Sequence, residues 1–338
     1  MINQQLSDKI KAISFLCTCM VVYRHAYTHE AFFGLTDTTS HPLYDFIVYG
    51  FTNITSIAVP YFFLISGYFF FKESYYKKGC YSLMIRKKFN TLFIPFCIWN
   101  AFAILPMMVG GKVATEEHWY NYVLNFLHSD YNGPLWYVRT LMLLMILSPF
   151  YDWLFILGTW LGKKNEQLIQ IFVLICILYN WYPMDSSTLS TEGWLFFLLG
   201  GILRKHEQWQ VFKLSDILTY VLFGCWIIGC FLLQSTNIWL GKMFLLFGIF
   251  IFWQFISCCF LKRKFDISKY SFFIYVTHFI LLKISKTLLA KMFFGVEFMA
   301  VVTFIILPII VVLLMVKVGK LWNRLSPKTF AIVTGGRN

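Results

Sequence analysis

Residues 296–318 read VEFMAVVTFIILPIIVVLLMVKV, with Glu297 near one end and Lys317 near the other as their only charges. At 1.5 Å per residue a helix of this length reaches about 35 Å, enough to cross a hydrocarbon layer of about 30 Å. The run is therefore a transmembrane helix, and it is not alone. Comparable apolar runs recur at 10–29, 45–71, 89–109, 134–156, 167–184, 192–204, 214–234, 239–261 and 269–289. The fold class that follows is an all-α integral membrane protein, with about ten transmembrane helices in one bundle. The run at 192–204 is short, and Gly200-Gly201 weakens it as a helix. Residues 116–127 read as a short helix lying along the interface.

Composition agrees. The 338 residues are 59% hydrophobic and 20% aromatic but only 13% charged, with a mean hydropathy of +0.65, whereas soluble domains carry about 25% charged residues. The first apolar stretch is longer than a signal-peptide core and no small-residue cleavage site follows it, so it is expected to stay in the membrane. The nine cysteines show no metal or redox spacing and read as small buried apolar groups.

The net charge of +13 raises nucleic acid as a partner, but its distribution excludes that. Of the 29 Lys and Arg, Lys112, Lys242 and Lys291 fall in the odd-numbered connections, and Arg24, Arg139, Lys283 and Lys286 fall within spans. All the others lie at the termini and in the even-numbered connections. Cations concentrate on the cytoplasmic side, so both termini are expected in the cytoplasm. With short loops and no internal repeat or low-complexity linker, residues 1–338 read as a single membrane-embedded domain with no soluble domain.

Ionisable groups inside spans are costly and mark function. In the first span Lys11, Ser14, Thr18, His25, Thr28 and His29 follow helical spacing along one face. His25 lies about 21 Å above Lys11, in the outer half of the membrane. An imidazole titrates near neutrality and can serve as a general base toward a hydroxyl; a structural histidine bonded to a neighbouring helix is the plainer reading. Arg24 beside it favours function. The ninth span repeats the pattern with Ser271, Tyr275, His278 and Ser285. The fourth enters at Gly133-Pro134 and carries Trp136 and Arg139, the latter an anchor by default. Lys283 and Lys286 read as snorkelling cations. At the inner surface Arg86, Lys87 and Lys88 suit an anionic, phosphate-bearing ligand, although topology alone also places cations there.

These stretches carry a resemblance. YRHAY (23–27), VPYFFLISGYFFF (59–71), IRKKFNTLFIPF (85–96), GPLWYVRTLMLLMILSP (133–149), EGWLFFLLGGILRK (192–205) and YSFFIYVTHFILL (270–282) resemble, in order, the membrane-bound acyltransferase-3 family. The resemblance implies an O-acyltransferase, with acetyl-CoA or a related acyl-CoA as donor, and a hydroxyl of an envelope carbohydrate or glycolipid as acceptor. It also implies a multi-pass protein of the bilayer, in a bacterial plasma membrane. By position, His25 corresponds to the family's helix-1 histidine, Arg86 with Lys87 and Lys88 to the basic motif before helix 3, Ser66-Gly67 to the helix-2 turn, and His278 to the late histidine. The chain departs from the family at Ser14, where many members have arginine eleven residues before the histidine; Lys11 or Arg24 would have to supply that charge.

The mechanism expected on this basis has Arg86, Lys87 and Lys88 holding the CoA phosphates. His25 acts as base, and Arg139 or Arg24 stabilises the oxyanion. His278 joins the catalytic group, Trp136, Tyr275 and Ser66 bind substrate, and no metal is expected. An acyl-histidine relay fits the sequence equally. A transporter or flippase of lipid-linked sugars is the competing class, disfavoured because no repeated halves are visible.

Overall fold

The computed structural model describes residues 4–71, 80–109, 119–150, 163–182, 190–206, 213–233, 237–260 and 266–336. It is 87% helix, with no strand among the described residues. Two compact units are present, one of residues 1–59 and 212–331 and one of residues 60–211 and 332–336, so each draws on both early and late parts of the chain.

The first unit is built on α1 (Gln4–Arg24), which is followed by α2 (His29–Phe33) and α3 (Pro42–Thr55). Against these pack α11 (Asp216–Leu232), α12 (Ile238–Phe260), α13 (Ser271–Phe293) and α14 (Glu297–Leu325). α1 touches α3, α12, α13 and α14, and its small and branched residues Ala12, Ile13, Cys17 and Val22 are almost wholly buried. It is the axis of this unit. The expected polar stripe is only partly realised, because the helix stops at Arg24 and the chain turns. Thr18 and Thr28 are buried, whereas Lys11 is exposed and pairs with Asp8 at 3.2 Å. Lys9 is the lysine that goes inside: it donates to Ser257 and lies 3.5 Å from the centroid of the Trp253 ring. An ammonium so placed is held by an aromatic face and a hydroxyl in place of water.

The second unit contains α4 (Ala58–Phe70), α5 (Cys80–Lys88), α6 (Ile94–Val109), α7 (Trp119–His128), α8 (Trp136–Ile146), α9 (Lys163–Asn180) and α10 (Thr191–His206). A π-helical turn, Phe89–Phe93, joins α5 to α6. α7 covers most of the segment read as an interfacial helix; residues 116–118 lie outside the described residues. Gly200-Gly201 does not weaken α10, which runs unbroken through both. A Cβ on Gly200 would fall 2.1 Å from the Leu64 carbonyl oxygen, and one on Gly67 would fall 2.0 Å from that of Phe197. The glycines let the α4 and α10 backbones touch, the device by which small residues bring membrane helices together.

Four described segments are long and apolar enough to cross a membrane, Pro42–Phe70, Ile238–Ser257, Ile267–Phe293 and Glu297–Leu325, and three shorter apolar helices accompany them. α1 carries Asp8, Lys9, Lys11 and Arg24 and falls outside that set. On α14 the side chains of Ile306, Ile309, Ile310, Leu313 and Leu314 are all exposed. Water would oppose so continuous an apolar face, and lipid accepts it. The chain is a multi-pass membrane protein.

Candidate active site

His25 sits just past the last residue of α1, its amide still bonded to the Val21 carbonyl at 3.2 Å. The turn that carries it is fastened from three helices. Lys286 of α13 donates to the carbonyls of His25 (3.4 Å) and Tyr27 (2.8 Å). The Tyr44 hydroxyl of α3 accepts from the Thr28 amide at 2.8 Å, and the Thr28 hydroxyl donates to the Ala300 carbonyl of α14 at 3.3 Å. Tyr44 is itself held through its amide, which donates to the Glu297 carboxylate at 3.0 Å. Both carbonyls lie just past the end of α1, where a cation also faces the negative end of the helix dipole. Lys286 therefore fastens the turn that follows α1 and does not simply snorkel.

The His25 ring is half-buried and points to α13. Its centroid is 5.4 Å from that of His278 and 5.5 Å from that of Phe279, edge to face. His278 is fully buried. Its Nδ1 lies 2.7 Å from the Tyr275 carbonyl and 3.2 Å from that of Ile274. A carbonyl only accepts, so Nδ1 carries a proton, and in the neutral ring Nε2 holds the lone pair. That Nε2 has no hydrogen-bond partner among the described residues. Tyr275 is also buried, its ring 6.1 Å from that of His278. The structure thus brings together His25, His278 and Tyr275, and adds Phe279 and Lys286.

Arg24 turns the other way. Its guanidinium donates to the Thr52 carbonyl of α3 at 3.1 Å and lines a cavity of about 190 Å³ with Tyr23, Tyr27, Thr52 and Phe304. The sequence placed Arg24 beside His25; in space the two side chains serve adjacent but different surroundings.

The remaining candidates lie in the second unit. Arg86 and Lys87 are exposed and Lys88 is half-buried; all three occupy the last turn of α5, where cations are favoured, directly before the π-helical turn. Such turns are frequent at functional sites. Ser66 bonds the Tyr137 hydroxyl at 2.9 Å, tying α4 to α8. Trp136 is half-buried, 6.2 Å from the ring of Phe63. Arg139 donates to the His128 carbonyl at the end of α7, an anchoring contact.

Two residues escaped the sequence reading. Lys286 was visible as a cation inside a span, but its role in fastening the turn needs the fold. Tyr44 offered no signal, being one tyrosine among 19.

We expect Lys286→Met to lower turnover roughly 10- to 100-fold by loosening the turn, with the donor KM little changed and Lys286→Arg recovering part of the rate. Equal losses in the Met and Arg variants, or a pure KM effect, would contradict a positioning role.

No curated protein and no solved structure matches the chain. A family model described as an acyltransferase domain matches residues 9–317, and the chain belongs to that family, membrane acyltransferase family 3.

Proposed function

We propose that the protein moves an acyl group, acetyl in the simplest case, from cytoplasmic acyl-CoA to a hydroxyl of an envelope sugar or glycolipid, in a bacterial plasma membrane that it crosses about ten times with both termini inside. The observation that carries this reading is the imidazole pair at the end of α1. His278, protonated at Nδ1, offers Nε2 to a neighbouring N–H. A His25 ring that donates to it keeps its own second nitrogen as an acceptor for the hydroxyl proton. His25 is then the general base, with His278 setting its tautomer. As the hydroxyl oxygen attacks the thioester carbonyl, His25 takes the proton, and collapse of the adduct expels the CoA thiolate. Positive charge for the oxyanion would come from Arg24 once its guanidinium leaves the Thr52 carbonyl and turns toward the His25 ring. Tyr275, Ser66 and Trp136 are proposed to contact substrate.

The family match favours acyl transfer over transport. Exposed Arg86 and Lys87 with Lys88 are the proposed seat of the CoA phosphates. Membranes given labelled acetyl-CoA and crude envelope glycolipid and polysaccharide are expected to place label on sugar. Arg86→Gln should raise the donor KM about tenfold, the weight of one charge-assisted contact, and leave kcat near wild type. An unchanged donor KM would remove the basic turn from the mechanism, and absence of acetyl-CoA binding by the wild type would overturn the donor.

A further inference from the structure

We propose a divalent transition-metal site, for zinc(II) or an ion of like preference, formed by His29, Asp37 and His41 in the connection between α1 and α3. One ligand atom from each residue lies within 4.8 Å of the other two, and all three residues are half-buried.

The chain builds this cluster from short-range parts. His29 opens the single turn α2 and Phe33 stands four residues on, so both side chains lie on one face of it. Phe33 stacks on the His41 ring, centroids 3.6 Å apart and planes at 13°. The His29 ring meets Phe33 edge-on at 5.3 Å and His41 at 5.8 Å. Tyr27 stacks beside His29 at 6.0 Å. Both imidazoles therefore have their planes set by aromatic neighbours.

The carboxylate is set as well. Asp37 Oδ1 accepts from the Thr39 amide at 2.9 Å and from the Thr39 hydroxyl at 2.7 Å, which leaves Oδ2 toward His41 Nε2 at 2.8 Å. The Thr39 hydroxyl also lies 3.2 Å from that nitrogen. These bonds fix the direction in which the carboxylate points.

Two imidazoles and one carboxylate form a donor set that zinc, copper and nickel accept and that calcium and magnesium do not favour. Zinc holds such donors at 2.0 to 2.2 Å, which places ligand atoms about 3.4 Å apart in a tetrahedron. Binding would part the Asp37–His41 pair by a few tenths of an ångström and draw His29 in by about an ångström, with water at the fourth position. The ion would clamp α2 to the start of α3, four residues beyond His25. Sequence spacing gave no warning, because His29, Asp37 and His41 at intervals of eight and four form no familiar signature.

His29 decides between this site and a plain Asp37–His41 ion pair. The full chain, purified in detergent with a tag free of histidine and stripped with chelator, is titrated with Co(II) as a spectroscopic stand-in and then with Zn(II). Wild type is expected to bind one ion per chain, with the intense visible bands of four-coordinate cobalt, which zinc displaces. His29→Gln, which leaves the Asp37–His41 pair in place, and Asp37→Asn should each weaken binding at least about tenfold. Elution volume and melting temperature of the unloaded variants check that they fold. Wild type that binds no ion, or that binds no better than His29→Gln, overturns the site and leaves the ion pair alone.

Discussion

Membranes carrying His25→Ala will transfer acyl groups at less than about one-hundredth of the wild-type rate. A positioned base is worth 10² to 10⁴ in rate, and nothing else among the described residues of this unit offers a half-buried imidazole with its backbone fastened by three helices. Folding should survive: His25 lies past the end of α1, its ring stands beside those of His278 and Phe279, and the turn is held through backbone carbonyls and Thr28, which the substitution leaves alone. The measurement is labelled transfer normalised to monodisperse protein. A His25→Ala enzyme that retains more than about a tenth of the rate would move the base elsewhere, with His278 first in line. Acid-quenched labelled protein without acceptor separates the two forms of the reaction: label held by wild type and lost in His25→Ala would mean an acyl-histidine relay, while its absence from both supports direct attack.

The second large effect is structural. Gly67→Leu should abolish recovery of folded protein, and Gly67→Ala should lower the melting temperature sharply. A single Cβ at Gly67 collides with the Phe197 carbonyl, which is helix backbone and cannot step aside without parting α4 from α10. Overpacking costs of roughly 1–3 kcal/mol are typical where side chains can adjust, and here the obstruction is main chain. Gly224→Ala provides the contrast, since a Cβ there meets nothing within 4 Å and alanine is the better helix former by about 1 kcal/mol. Detergent thermal unfolding of the pair tests the argument. A Gly67→Ala protein as stable as Gly224→Ala would show that the two helices can separate freely.

What the sequence could reveal depended on the range of the physics involved. Apolar runs report directly on lipid, so the helical membrane architecture was legible, and His25 at the outer end of the first span stood out because burying it is costly. The pairing of His25 with His278 was not legible, since 253 residues separate them and nothing in either helix names the other. Lys11 was placed by spacing on the polar face of α1, but Lys9 has Trp253 and Ser257 waiting for it, partners contributed by a distant helix. The helical register that placed Thr28 and His29 on the same face as Ser14 failed because the helix ends at Arg24, and the fastening that ends it comes from Lys286 and Tyr44. Gly200-Gly201 was read by intrinsic propensity, where packing against α4 decides. The cluster of His29, Asp37 and His41 was local enough to be read, but needed the stacking of Phe33 on His41 to become visible.

The second unit is finished by residues made long after the rest of it. Gly335, at φ +67°, packs so tightly on the Thr91 carbonyl that a Cβ would lie 2.1 Å away, and the Trp99 indole donates to the Val333 carbonyl at 2.9 Å, 234 positions along the chain. Until residues 332–336 have been made, this hydrogen bond and the packing of Gly335 on Thr91 are both missing. Completion of this unit thus waits for residues 332–336. A chain halted during synthesis would carry the basic turn and most of its helices, yet present an open seam that membrane proteases could recognise.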